Sequence, residues 1–399
     1  MAAMKKKIKV LCLSFRTPPA VRPQAILIGK MIPEWIRQGI DPVIITYDNN
    51  GNWKIDLPIY KISQFSVNRF INKLPPLRRF LKKVYFKKFY KIAEEIIKKH
   101  KINLVFSFSN PLESNILGAM LKERLGVKFI AHFSDPWSDN PYAEYSRRGF
   151  KEAKREELFV IKNSDRVIFV NKQTQKKVMT KYPPAWITKT EVIPHNYKVE
   201  DYPIIEKKGK NNKFVFGYIG VFYKQRNPEV LFKAMQELIT KRPDLADKFK
   251  IQLVGAVNNY AGYSDEKINE MLLNYNLVKQ VESFPTVSYT QSLRFMKLAD
   301  CLVVIDADIS ESPFLPSKVV DYAGSGTPII GITPDHSPTA DFINNLGYKA
   351  FNYNQTEQLA EHLTDLIDGN IDYAVDQEYL KKFEVKNTTA KLINIFKSI

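Results

Sequence analysis

The chain has little cysteine: Cys12 and Cys301 are its only two thiols in 399 residues. Each sits in an apolar, strand-like run, where a thiol packs as a small hydrophobe. That excludes a disulfide scaffold and fits a reducing compartment. No stretch approaches the roughly 20 uninterrupted apolar residues of a membrane span. The apolar run Ile8 to Phe15, behind the basic Lys5 to Lys7, is broken by Arg16 and Pro18-Pro19. It reads as a first strand, not as a secretory segment. The G-x-G-x-x-G fingerprint does not follow that strand, so dinucleotide binding is unsupported. No recognised nucleic-acid motif accompanies the basic charge, so nucleic acid is not expected as a partner. No Asp-x-Asp pair or His/Cys cluster with ligand spacing is expected in the chain, and hence no metal.

Basic charge, by contrast, is abundant. Sixty Lys and Arg against 42 Asp and Glu give a formal charge of +18, which calls for an acidic partner such as an anionic membrane or a phosphorylated substrate. With 44% apolar residues in 399, two domains are the natural division.

Strands and helices alternate along both halves. Strands are predicted at Val10 to Phe15, Val43 to Tyr47, Leu104 to Phe108, Phe129 to Phe133 and Arg166 to Val170. Helices are predicted over Gln24 to Gln38, from Asn110-Pro111 to Leu125, over Ala143 to Lys162 and from Lys172. The polar run Glu200 to Asn212 reads as a linker. The pattern then restarts with strands at Phe214 to Gly220, Ile251 to Val254, Val281 to Phe284, Cys301 to Ile305, Thr327 to Gly331 and Ala350 to Tyr353. Helices are predicted from Pro228 and over Asp265 to Tyr275 and Thr356 to Ile367. A last helix runs from Gln377 to Ser398. The fold class is α/β, with two Rossmann-like doubly wound domains facing across a cleft.

Residues 65–101 are the most basic part of the chain. Arg69, Lys73, Arg78, Arg79, Lys82, Lys83, Lys87, Lys88 and Lys91 interleave with Phe70, Leu77, Phe80, Leu81, Tyr85, Phe86, Phe89 and Tyr90, and Pro75-Pro76 divides two helical pieces. Such a basic amphipathic segment suits an anionic lipid interface.

The most informative stretch is Phe314 to Gly331. Pro316 can open a helix without losing a needed N–H. Val319, Val320 and Ala323 make a short apolar face, and Gly324 and Gly326 supply the stop. Strand, loop and helix N-terminus form an anion site, with Asp321 about one turn further in.

The wording of this stretch resembles the P-S-K-x-x-E-Y-x-x-x-G-x-P signature of family 4 glycosyltransferases of the GT-B fold, in its bacterial polysaccharide form. Ser134-Asp135-Pro136-Trp137 is similar to the family's R-D-P-W element, and Val192-Ile193-Pro194 to its V-I-P-N-G element. Tyr218 to Met235 resembles the family's donor loop, and Pro285-Thr286-Val287 its base-contacting loop. The resemblance implies metal-independent, retaining transfer from a UDP- or GDP-linked sugar to a saccharide or lipid-linked acceptor, by an enzyme peripheral at the cytoplasmic face of the inner membrane.

Site residues follow by the same resemblance. Asp135, Arg226 and Lys224 are the catalytic candidates, the two cations serving the departing diphosphate. Asp321 falls on the ribose. Gly220, Val287, Phe314, Leu315, Pro316, Ser317 and Lys318 complete the donor side. Arg22 and His132 are acceptor-side candidates, although His132 also reads as a core residue. The implied domains are 1–203 for the acceptor, 204–375 for the donor, and 376–399 as a helix returning to the first. Three departures stand out: Val221 replaces an arginine, Pro313 replaces the first glutamate of E-x7-E, and Asp321 is shorter than glutamate by about 1.5 Å. A catalytically decayed scaffold of the same fold is the alternative reading.

Overall fold

The computed structural model describes residues 8–47, 53–205, 213–257 and 263–399. The chain forms two compact units, Met1–Pro194 with Val385–Ile399, and His195–Glu384. Most of the predicted linker, 206–212, lies outside the described residues.

In the first unit, β1 (Ile8–Leu13), β2 (Ile40–Tyr47), β3 (Ile59–Ile62), β4 (Leu104–Phe108), β5 (Lys128–Phe133), β6 (Arg166–Phe169) and β7 (Thr190–Val192) form a sheet in the order β3-β2-β1-β4-β5-β6-β7. All its pairings are parallel. Parallel sheets are covered on both faces, so their central strands are nearly continuous apolar runs. Val10 and Cys12 of β1 enter one core cluster, while Leu11 and Leu13 enter the other. The helices are α1 (Pro23–Arg37), α2 (Arg69–Asn72), α3 (Pro75–His100), α4 (Glu113–Leu125), α5 (Arg147–Asn163) and α6 (Lys172–Met179).

The second unit repeats the plan. Its strands β8 (Phe214–Ile219), β9 (Phe249–Val254), β10 (Val281–Phe284), β11 (Cys301–Ile305), β12 (Ile329–Ile332) and β13 (Lys349–Phe351) lie in the order β10-β9-β8-β11-β12-β13. Helices α7 (Glu229–Lys241), α8 (Asp265–Asn274), α9 (Tyr289–Leu298), α10 (Ser317–Gly324), α11 (Pro338–Asn345), α12 (Thr356–Asp368) and α13 (Gln377–Lys381) surround it. Helix α9 went unpredicted, although Ser288 and Gln291 form a capping box legible as S-x-x-Q. Helix α11 is announced by Ser337 at its N-cap and Pro338 at its first position.

The predicted helix Gln377 to Ser398 is in fact two, α13 and α14 (Val385–Lys397). The break has a backbone cause: the Phe383 carbonyl accepts from the Tyr197 N–H at 3.0 Å, and Glu384 bridges Tyr197 in parallel. A helical 383–384 would turn those groups inward. Beyond the break, α14 belongs to the first unit, where Phe396 packs edge-on against Trp35 at 5.1 Å.

Candidate donor-binding site

In a doubly wound sheet, ligands gather outside the strand ends where the winding direction reverses. In the second unit that point lies between β8 and β11. Their pairing is short, ending at Gly217 opposite Leu302. The backbone of Ile219 therefore needs another partner, and α10 provides it: the Tyr322 hydroxyl accepts from Ile219 N–H at 2.7 Å and donates to its carbonyl at 2.9 Å. The signature helix is thus pinned to the tip of β8.

Gly220 follows with φ +132, and a Cβ there would lie 3.3 Å from Lys318 Nζ. Glycine is required by the backbone, and a side chain there would also crowd the lysine. The Lys318 ammonium stands 4.1 Å from the centroid of the Tyr218 ring, which is itself buried and hydrogen-bonded through its hydroxyl to the Val221 carbonyl. The chain then turns back at Tyr223 to Arg226, closed by Arg226 N–H to Tyr223 carbonyl at 2.8 Å. This turn sends Arg226 inward, to 3.2 Å from Asp306 Oδ1, and leaves Lys224 exposed at its tip.

Burial, aggravated by the nearby Arg226 charge and eased by Asp306, pushes the Lys318 ammonium down to about 7. Arg226 thus pairs with the buried carboxylate, while Lys318, next to the N-terminus of α10, has no anion of its own to hold its proton. Pro316 caps that helix and Ser317 begins it. An anion supplies what such an arrangement lacks. Phe314 and Leu315 are buried, Leu315 within the core cluster, so only their backbone can face a ligand.

One turn into α10, Asp321 is buried and accepts from the Tyr289 hydroxyl at 3.2 Å. Its backbone carbonyl accepts from Tyr202 at 2.7 Å. Burial and the Asp321 charge raise the Tyr289 phenol well above its ordinary range. Gly324 is not a stop signal, because it is still helical. A Cβ there would lie 2.4 Å from Tyr202 Oη and 2.6 Å from the Tyr197 ring, so close approach is what requires the glycine. The left-handed residue is Gly326, at φ +73. Val287 sits in the loop after β10, half-buried against the same core cluster as Leu315.

The first-unit candidates are placed separately. Arg22 is the exposed N-cap residue of α1, and its side chain makes no cap bond. Asp135 follows β5 and accepts from Asn110 Nδ2 at 2.6 Å. Its loop is tied down: Ser134 N–H donates to Ser109 Oγ at 2.8 Å, and Gln24 Nε2 donates to the carbonyls of Phe108 and Ser109. Further on, the fully buried Glu157 accepts from Ser138 N–H, Tyr182 Oη and Lys181 Nζ at 2.9, 2.6 and 2.5 Å. His132 is buried near Phe106 and Phe108, with no hydrogen-bond partner on Nδ1. Burial pushes it down to about 4, so the ring stays neutral.

The basic segment has two faces. Phe86, Phe89, Tyr90 and Ile97 of α3 enter the core. Phe70, Leu74, Leu77, Phe80 and Val84 form an outward stripe, with Phe70 83% and Phe80 61% exposed. Lys83, Lys87 and Lys88 are exposed, whereas Lys82 turns to Glu156 at 3.0 Å.

One expectation needs correction, because the chain does carry an Asp-x-Asp pair, Asp306 and Asp308. Asp306 is fully buried and engaged with Arg226, while Asp308 is exposed. Among the described residues no group of three or more His, Cys, Asp or Glu could hold a metal ion. Glu157 has no motif around it, and the roles of both Glu157 and Asp306 are visible only in their contacts.

Two family models match the chain: Glycosyltransferase Family 4 over residues 25–197, and Glycosyl transferases group 1 over residues 202–383. No curated protein matches by sequence. Among solved structures, sucrose-phosphate synthase from Thermosynechococcus elongatus is similar at TM-score 0.72 and 14% identity, over 98% of this chain and 99% of its own. A glycosyltransferase from Rickettsia africae ESF-5 is similar at 0.70 and 16%, over 98% of both chains. Anabaena Alr3699/HepE in complex with UDP-glucose is similar at 0.70 and 14%, over 98% of this chain and 100% of its own. With two parallel Rossmann-like sheets and a family model on each unit, the chain belongs to the family 4-type glycosyltransferases of the GT-B fold.

Proposed function

We propose that this glycosyltransferase takes a UDP- or GDP-linked sugar as donor, transfers the sugar with retention and without a metal, and acts on a saccharide or lipid-linked hydroxyl at an anionic membrane surface on the cytoplasmic face. The observation that carries the donor reading is the juxtaposition of Gly220, Arg226 and Lys318 beside the α10 N-terminus. A nucleoside diphosphate leaving group gains negative charge as the glycosidic bond breaks. Arg226, Lys318 and the helix N–H groups stabilise that charge, with Lys224 free to join from its exposed turn. Asp321 receives the ribose hydroxyls, the task of acidic residues in other nucleotide folds. The complex of Alr3699/HepE with UDP-glucose supports this donor class. On the first unit, Asp135 and Arg22 meet the acceptor. Retention rests on the family resemblance. The outward Phe70–Val84 stripe, edged by Lys83, Lys87 and Lys88, supports the membrane reading.

Thermal shift against UDP, GDP, ADP, TDP and their sugars identifies the donor, since a ligand of the folded state raises apparent stability. Asp321→Ala is expected to weaken the donor that scores by at least tenfold, and an unchanged affinity would remove Asp321 from the ribose. A chain that binds nucleotide but neither hydrolyses nor transfers any donor would favour a decayed binding module, the reading to which Val221 and Pro313 point.

A further inference from the structure

We propose that Asp306 is a positioning residue for the donor: its carboxylate holds the Arg226 guanidinium beside Lys318 and so builds a two-cation cradle for a diphosphate. This inference rests on the donor-site reading above.

Asp306 follows β11 as Gly220 follows the neighbouring β8, and it is held at several points. Oδ1 accepts from the Ala307 N–H at 2.9 Å and faces Arg226 Nη2 at 3.2 Å. Oδ2 lies 2.8 Å from the Thr339 hydroxyl, which is also 3.2 Å from the Phe314 carbonyl just ahead of α10. The backbone N–H donates to Ile332 at 2.9 Å, and the carbonyl accepts from the Tyr353 hydroxyl. A residue held by the Ala307 N–H and α11 through its side chain, and by β12 through its backbone, is a rigid anchor. Arg226, by contrast, comes from a turn whose Tyr223, Lys224 and Gln225 are all exposed. Without the carboxylate the guanidinium loses its buried counter-charge, and solvent becomes a better place for its charge. With the carboxylate, Arg226 is held at the site, and an arriving anion draws a proton onto Lys318 as well, which a diphosphate does and a neutral nucleoside does not. Preorganising one cation costs less at the moment of binding than recruiting it from solvent.

The alternative is that Asp306 merely staples the end of β11. The two roles predict different behaviour. Calorimetric titration of the full chain with UDP, GDP, ADP, TDP and inorganic pyrophosphate, and with the matching nucleosides, separates them. Asp306→Asn keeps the shape and the contacts with Ala307 and Thr339 but drops the charge. It is expected to weaken pyrophosphate and the best diphosphate by tenfold or more, with nucleoside binding unchanged. Arg226→Gln added to Asp306→Asn is expected to cost little more, because Asp306 acts through Arg226. Thr339→Val, which retains the charge and the shape, is expected to weaken the same anions by a few-fold and guards against an Asp306→Asn chain that does not fold. Equal losses for nucleoside and diphosphate, fully additive losses in the double variant, or wild-type anion affinity in both single variants would each overturn the proposal. If the wild type binds these anions and Asp306→Asn binds them equally, only the Asp306 role falls. If the wild type binds none of them, the donor reading falls as well.

Discussion

Replacing Lys318 by methionine tests the charge excess at the donor site, because it removes the ammonium and retains most of the stem. Lys318 falls from an ordinary 10.5 to about 7, which at about 1.4 kcal/mol per tenfold corresponds to an upper bound of about 5 kcal/mol against its charged form. The sign follows from proton counting. Between pH 7 and 10.5 the unfolded chain holds the Lys318 proton and the folded chain does not, so this residue makes stability rise with pH across that window. Below pH 7 the full penalty is present. Lys318→Met should therefore be more stable than wild type by about 1–3 kcal/mol at pH 6.5, after lost stem packing is deducted from the bound. The advantage should shrink toward pH 10. Nucleotide binding should move oppositely. From pH 7.5 to 9.5 the terminal phosphate is already ionised, so a change in UDP or GDP affinity reports the protein. Wild-type affinity should fall by up to about tenfold per pH unit and converge on the flat, weaker affinity of Lys318→Met. Urea denaturation and calorimetric titration at four pH values provide both curves. A wild type with pH-independent affinity, or a Lys318→Met chain with the same slope, would refute the reasoning.

Other perturbations are read more simply. Gly324→Ala places a methyl 2.4 Å from Tyr202 Oη and 2.6 Å from Tyr197, so it should lower unfolding free energy by about 1–3 kcal/mol; an unchanged denaturation midpoint would show that both tyrosines yield freely. Glu157→Ala should cost roughly 3 kcal/mol, at the low end for a broken buried pair because Lys181 retains some exposure and Asp139 at 2.5 Å. Amide exchange should then rise between Ser134 and Asn140, and protection equal to wild type would separate Glu157 from that loop. Phe80→Ser with Lys83→Glu and Lys87→Glu should release the protein from phosphatidylserine vesicles while leaving the melting temperature within a few degrees; undiminished vesicle binding would dismiss the α2–α3 stripe as the contact.

Much of this molecule is written in local patterns. Strands such as Leu104–Phe108 and Cys301–Ile305 are legible because a strand buried on both faces is a nearly continuous apolar run, broken in the first only by Ser107. Pro316 and the helix behind it, the glycine after β8 and the alternation of strands with helices follow from backbone rules that act over a few residues. Those rules, together with the signature wording, pointed to the fold family and to the donor side of the site. What the sequence alone left undetermined lies between residues far apart in the chain. Arg226 meets Asp306 only because β8 and β11 are neighbours in the sheet. Glu157 becomes a buried anchor only when α5 meets the loop at Ser138 and the chain at Lys181. The role of Gly324 appears only with Tyr197 and Tyr202 packed against it, and the last helix breaks because Tyr197 claims the backbone at Phe383 and Glu384. Residue type sets what each group can do, but burial and distance decide which charges remain uncompensated, and those follow from tertiary packing.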